Sequence, residues 1–245
     1  MRSAIANAWL RPAPDAPPDR QVLVGDDFAV ETTRDGWHFG RAEKDGYPGW
    51  LPDNALGPMI AATHWVSVRT TWAYAAPDIK ATPLIDLHMT SRIEVCAEEG
   101  DWLTIRQDEG LAHVPRAHCR TIGNVRASPV EAARAFLGTP YLWAGNTGFG
   151  LDCSGLVQIA YHAAGRDCAA DSGQQETMAG NAVAEDFQPG DLIFWKGHVA
   201  MATDAHHIIH ANAHHMAVVE EPLAEAITRI EATDAGPVTS RLRPD

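Results

Sequence analysis

The sequence predicts an α+β protein: two small all-β barrels, then one domain in which helices pack on an antiparallel sheet. Three observations carry this. Short apolar runs separated by turn signals fill the first half and occur twice in the same order. A helix-start signal and helical stripes begin at Ser128, and strand periodicity returns after Pro189.

The 245 residues are 45% hydrophobic and 21% charged, as in an ordinary globular protein. The net charge of −13 excludes nucleic acid and anionic membrane surfaces as natural partners. The first ten residues lack the continuous apolar core of an export signal, and no segment is long enough to span a bilayer. The expectation is a cytoplasmic protein that engages no membrane. Four cysteines (Cys96, Cys119, Cys153, Cys168) show no CxxC spacing. Cys96 and Cys119 could pair across a small β-domain, but in a cytosol reduced, buried thiols are expected.

Residues 1–18, with Pro12, Pro14, Pro17 and Pro18, read as an extended N-terminal arm. The first barrel is expected over 19–57. Its runs are Gln21-Val22-Leu23-Val24, Phe28-Ala29-Val30, Trp37-His38-Phe39 and Gly49-Trp50-Leu51, with Asp35-Gly36 and Asp45-Gly46 as hairpin signals. A second barrel is expected over 62–122. There Ile93-Glu94-Val95, Trp102-Leu103-Thr104-Ile105 and Leu111-Ala112-His113-Val114-Pro115 echo the first set. Trp37 falls on Trp102 and Leu51-Pro52 on Val114-Pro115, so the tryptophan, the turn and the apolar-Pro pair recur in order.

The C-terminal domain is expected over 128–233. Ser128-Pro129-Val130-Glu131 has the form of a capping box with proline at the first helical position, and Gly138 can end that helix after Leu137. A second helix spans 153–164, with Leu156, Val157, Ala160 and Tyr161 at helical spacing and Gly165 as its stop. A short third helix starts near Ser172 or Gly173. Four strands follow, at Leu192-Ile193-Phe194-Trp195, His198-Val199-Ala200-Met201-Ala202, His207-Ile208-Ile209-His210 and Met216-Ala217-Val218-Val219; the tail beyond Thr233 gives little signal.

Cys153 occupies the first turn of its helix, where the positive end of the helix dipole favours a thiolate nucleophile. Glycine-rich sequence before it lets backbone approach a bound substrate. A thiol nucleophile needs a histidine to take its proton and a polar group to orient that histidine. His198 opens one strand and His210 ends the next, so a hairpin brings both imidazoles to one end of the sheet. Any one of these residues is more commonly structural; the combination is what points to catalysis. His206, His207, His210, His214 and His215 invite a metal reading. Neighbours in such pairs alternate faces on a strand, so at most a subset converges, and no metal or other cofactor is expected.

The motifs Tyr141-Leu142-Trp143-Ala144-Gly145, Leu151-Asp152-Cys153-Ser154-Gly155-Leu156-Val157, Asp171-Ser172-Gly173-Gln174-Gln175, Pro189-Gly190-Asp191-Leu192-Ile193-Phe194 and Gly197-His198-Val199-Ala200 resemble, in order and spacing, the NlpC/p60 family of cell-wall cysteine peptidases. The resemblance covers about residues 128–220. The paired barrels, with Tyr47-Pro48-Gly49-Trp50, look like the bacterial SH3-like domains of its dipeptidyl-peptidase branch. The resemblance implies a papain-like fold and hydrolysis of the γ-D-glutamyl–diamino acid bond in murein tri- and tetrapeptides. It makes Cys153 the nucleophile, His198 the base and His210 the orienting third member. Asp152, Ser154, Tyr141 and Ser172 stand at substrate-contacting positions. Tyr47 and an acidic residue of the first barrel, Asp26 or alternatively Asp27, would select a free N-terminal L-Ala. Ala144 stands where the family commonly has glycine. The expected role is recycling of murein peptides. Two alternatives stay open on the sequence: an acyltransferase or amidase on the same scaffold, and a catalytically inert murein-peptide binding module.

Overall fold

A computed structural model describes all residues, 1–245. The chain divides into two compact units: residues 1–125 with 146–148, and residues 126–145 with 149–245.

The first unit contains both barrels. The first barrel has a five-stranded sheet in the order Pro48–Pro52, Trp37–Ala42, Asp27–Arg34, Arg2–Ala4, Leu56–Gly57. Asp35 and Gly36 both take positive φ, 50° and 79°, between the paired residues Arg34 and Trp37. That is the turn whose twist matches two flanking antiparallel strands, and glycine adopts it without strain. Leu10, Val22, Phe28 and Leu51 close the core.

The arm expected over residues 1–18 is instead part of this barrel. Arg2–Ala4 lies between two strands of the sheet, and Ala8–Leu10 pairs with Arg20–Val22. The prolines occupy only the connection between Leu10 and Arg20, where no ladder hydrogen bond is required of them. Burial of Ala4 and Leu10 repays the ordering of the short strands.

The second barrel carries a five-stranded sheet ordered Pro83–His88, Thr70–Tyr74, Leu111–Pro115, Trp102–Arg106, Val95–Glu99. A three-stranded sheet of Arg92–Ile93, His64–Val66 and Cys119–Thr121 completes it. The internal repeat is visible as register. Trp37 pairs with Pro52 and His38 with Leu51; Trp102 pairs with Pro115 and Leu103 with Val114. A single 3-10 turn follows each proline, Asp53–Ala55 in one barrel and Arg116–His118 in the other. Cys96 and Cys119 are unpaired thiols, and Cys96 is exposed rather than buried because it lies on the edge strand Val95–Glu99.

In the second unit, α1 (Pro129–Arg134) begins at Ser128, whose hydroxyl accepts the Val130 N–H at 3.2 Å. Glu131 pairs with Arg126. The helix ends at Arg134 instead of Leu137, the intervening residues forming turns up to Gly138. Helix α2 (Cys153–Ala163) follows, and all but one of its residues are buried, so it is covered on every side rather than along one stripe. Helix α3 (Ser172–Gln175) starts under an Asp171/Gln174 capping box.

The sheet of this unit has six strands, in the order Gly180–Ala182, Ser240–Pro244, Leu192–Trp195, His198–Ala202, His207–Asn212, Ala217–Pro222. Helix α4 (Leu223–Glu231) buries Leu223 and Ala226 with Ile193, Trp195, Ala200, Ala202 and Ile208. The domain therefore extends past the 233 boundary. Ser240–Pro244 is held between two strands, and Arg243 clasps the buried Asp191 through two hydrogen bonds of 2.8 Å. Helices packed with an antiparallel sheet give the unit its α+β, papain-like character.

Candidate active site

The site starts at the N-terminus of α2. Asp152 takes an extended conformation (φ −95°, ψ 179°), and its Oδ1 accepts the Gly155 N–H at 2.6 Å, capping the helix. The same oxygen accepts the Ser154 hydroxyl at 3.0 Å, and Oδ2 accepts the Ala144 N–H at 3.0 Å. One carboxylate thus fixes the helix start and the loop before it. That loop lies close to the backbone around it: a side chain at Gly145 would meet the Gly150 carbonyl oxygen at 2.5 Å, so only glycine fits.

Cys153 is the first residue of the helix and is 7% exposed. Backbone N–H groups of Val199, Ser154 and Cys153 itself lie at its sulfur and favour the thiolate, but burial, with the Asp152 charge behind it, pushes the thiol up to about 12. The dipole argument from the sequence is therefore outweighed, and the resting side chain is a neutral thiol that needs a base. The N–H of Val199 comes from the residue after His198, so the sulfur sits at the start of the strand His198–Ala202.

His198 Nε2 and His210 Nδ1 are 2.8 Å apart, and His210 Nε2 lies 2.6 Å from Glu221 Oε1. Burial lowers His198 to about 3, with His210 and Arg229 adding to the effect, and burial also lowers His210. Both rings are neutral at pH 7. Glu221 is pushed up by burial, but hydrogen bonds from His210 and Arg229 overcome this and hold it at about 2. The buried ring of Trp195 lies 5.7 Å from that of His198, centroid to centroid. Tyr141 reaches the same region: burial raises its phenol to about 12, with the Cys153 sulfur, once ionised, and the Asp152 carboxylate adding to the effect.

A thiol at a capped helix start, met by the backbone next to a histidine that bonds a second histidine, is the equipment of a cysteine hydrolase. Residues 138–233 match the NlpC/P60 family, and residues 10–56 match the bacterial dipeptidyl-peptidase SH3 domain. The second unit is similar to an NlpC/P60 domain over residues 138–233. Two relatives named γ-D-glutamyl-L-lysine dipeptidyl-peptidase come from Bacillus cereus and Bacillus subtilis. The first is 27% identical over 229 residues, covering 79% of this chain and 67% of that protein. The second is 26% identical over 187 residues, covering 71% and 63%. The chain thus spans about two thirds of the length of these relatives. An NlpC/P60 family protein from Bacillus cereus has the same fold, with a TM-score of 0.81 at 22% identity over 99% of this chain and 98% of that one.

Within the second unit, Cys153, His198, His210, Asp152, Ser154 and Tyr141 are brought together as described. Ser172 opens α3, and the neighbouring Gln175 donates to the carbonyl of Ser154, which ties α3 to the first turn of α2. The two acidic candidates of the first barrel, Asp26 and Asp27, both have partners inside it. Asp26 is buried, and its Oδ2 accepts the Leu23 N–H at 2.9 Å and the Lys44 ammonium at 2.6 Å; it pins a turn. Asp27 accepts the Ser3 hydroxyl. The acid beside the Tyr47 hydroxyl is Asp19, at 3.3 Å. Asp19 follows the Pro17-Pro18 connection, and no local pattern placed it there. Of the other histidines, His207 bonds Asp204 and His215 bonds Asn212, and no group of three or more His, Cys, Asp or Glu side chains is arranged to hold a metal. Glu221 and Arg229 are site residues that sequence reasoning missed. Val219 pairs with His210, and Glu221, two residues on, shares its face of the strand; that is the signal that could have found the first.

Proposed function

We propose that the protein is a cysteine peptidase that cleaves the γ-D-glutamyl bond to the diamino acid in murein peptides, releasing L-Ala-γ-D-Glu from substrates with a free N-terminal L-Ala. The convergence of Cys153, His198 and His210 carries this reading. The sulfur attacks the γ-carbonyl while its proton passes to the open ring nitrogen of His198. N–H groups at the start of α2 are placed to donate to the tetrahedral oxyanion. His198 returns the proton to the departing amine, and water, deprotonated by His198, then hydrolyses the thioester.

The names of the two Bacillus relatives support a γ-D-glutamyl substrate, and the match of residues 10–56 to a dipeptidyl-peptidase SH3 domain supports release of a dipeptide. In the first barrel Asp19 and Tyr47 supply a carboxylate and a phenol, groups suited to a substrate ammonium. A net charge of −13 suits small murein fragments in the cytoplasm better than the anionic wall. The test is mass spectrometry of L-Ala-γ-D-Glu-L-Lys, its diaminopimelate counterpart and their N-acetylated forms, each incubated with the protein and with Cys153→Ala. Cleavage of free peptides by the unaltered protein alone is expected. Equal turnover by Cys153→Ala would end the proposal, and cleavage of acetylated peptides at the same rate would end its N-terminal part. Cell fractionation checks the compartment.

A further inference from the structure

The geometry points to Glu221, clamped by Arg229, as a positioning residue that sets the tautomer of His210 and, through it, that of His198. This rests on the reading of Cys153 as nucleophile and His198 as its base. Arg229 Nη1 and Nη2 donate to Glu221 Oε2 and Oε1 at 2.7 and 2.6 Å, which leaves Oε1 also facing His210 Nε2 at 2.6 Å. A carboxylate only accepts, so His210 carries its proton on Nε2. The neutral ring then offers a lone pair at Nδ1, and His198 must donate to it from Nε2 across 2.8 Å. The proton of His198 is thereby committed to Nε2, and its Nδ1 is the nitrogen left to take the Cys153 proton. When it does so, the imidazolium is compensated through His210 by the Glu221 charge.

The arrangement predicts an inversion. In Glu221→Gln one amide oxygen replaces two carboxylate oxygens; with that oxygen on Arg229 Nη1, the amide NH2 takes the Oε1 place and faces His210. His210 Nε2 must then accept, its proton moves to Nδ1, His198 Nε2 becomes an acceptor and His198 Nδ1 is protonated, which blocks the base. Replacing Arg229 as well frees the amide to turn and present its oxygen.

The readout is 15N NMR of the imidazole nitrogens at neutral pH together with steady-state kinetics. The unaltered protein should show Nε2–H tautomers for both rings. Glu221→Gln should show Nδ1–H tautomers and lose at least about 100-fold in kcat with KM little changed. Arg229→Gln, which keeps the carboxylate, should retain the Nε2–H tautomers, and Glu221→Gln with Arg229→Gln should recover activity over Glu221→Gln. Retention of the Nε2–H tautomers in Glu221→Gln, or the same kcat loss without a tautomer change in Arg229→Gln, would overturn the assignment. Should Glu221→Gln not fold, the tautomers of the unaltered protein and of Arg229→Gln decide it: an Nδ1–H proton on His210 in either one overturns it. Tautomers as predicted in a protein that cleaves no murein peptide would sink the peptidase reading and leave this one standing.

Discussion

Ala144 donates its backbone N–H to Asp152 at 3.0 Å from a left-handed conformation, φ 64°. An L-residue there is strained by roughly 1–2 kcal/mol, which glycine avoids. Part of that gain is offset by the greater freedom of glycine in the unfolded chain. Ala144→Gly should therefore raise stability by about 0.5–1 kcal/mol in urea unfolding. Asp152→Ala, which loses the cap and strands the buried Ala144 N–H, should lower it by about 2–3 kcal/mol.

Three buried imidazoles make the protein acid-sensitive in a definite window. His88, His198 and His210 are all lowered, chiefly by burial, from an unfolded value of 6.5. Above pH 6.5 they cost nothing. As pH falls from 6.5 toward their folded values, about 3 for His198, the unfolded chain takes up protons that the native state refuses. Each such histidine then removes about 1.4 kcal/mol per pH unit. Melting temperatures measured between pH 7.5 and 5 should decline below 6.5, and His198→Gln should flatten the decline. An unchanged slope in that variant would show that His198 is protonated in the native state.

Arg243 and Asp191 tie the late strand Ser240–Pro244 to the turn before Leu192–Trp195. Arg243→Leu leaves the buried Asp191 carboxylate without its counter-ion, and a lower melting temperature is expected. Asp191→Asn in the same chain should recover part of the loss, since the amide carries no charge to be left unpaired. No recovery would mean that Arg243 acts through its contact with the Asp186 carbonyl instead.

Much of the chain was legible for physical reasons. The two barrels share a tryptophan–proline register pair that sequence spacing preserves, and the cysteine helix announces itself through its cap and its glycine stop. Arg2–Ala4 was not legible, because three residues carry no periodicity and their partners at Asp27, Phe28, Leu56 and Gly57 are distant in sequence. Leu223, Ala226, Ile227 and Ile230 do have helical spacing, and α4 could have been read from them. In the site, Cys153 and both histidines follow from residue type and order. Glu221 stood in a Glu220-Glu221-Pro222 run that resembles a solvated acidic pair, and only cross-strand register reveals that it points at His210. That Asp26 Oδ2 would be held by the Leu23 N–H and by Lys44, eighteen residues on, was not readable from local sequence.

The strand Ser240–Pro244 also sets a timetable. It is the last part of the sheet to be made, yet it occupies a position between Gly180–Ala182 and Leu192–Trp195. While the ribosome still holds it, those two strands lack a shared neighbour and the sheet stays open, with Cys153 synthesised about 90 residues earlier. One edge of Leu192–Trp195 thus stays unpaired until translation has passed Pro244, whereas the barrels can close while the chain is still growing.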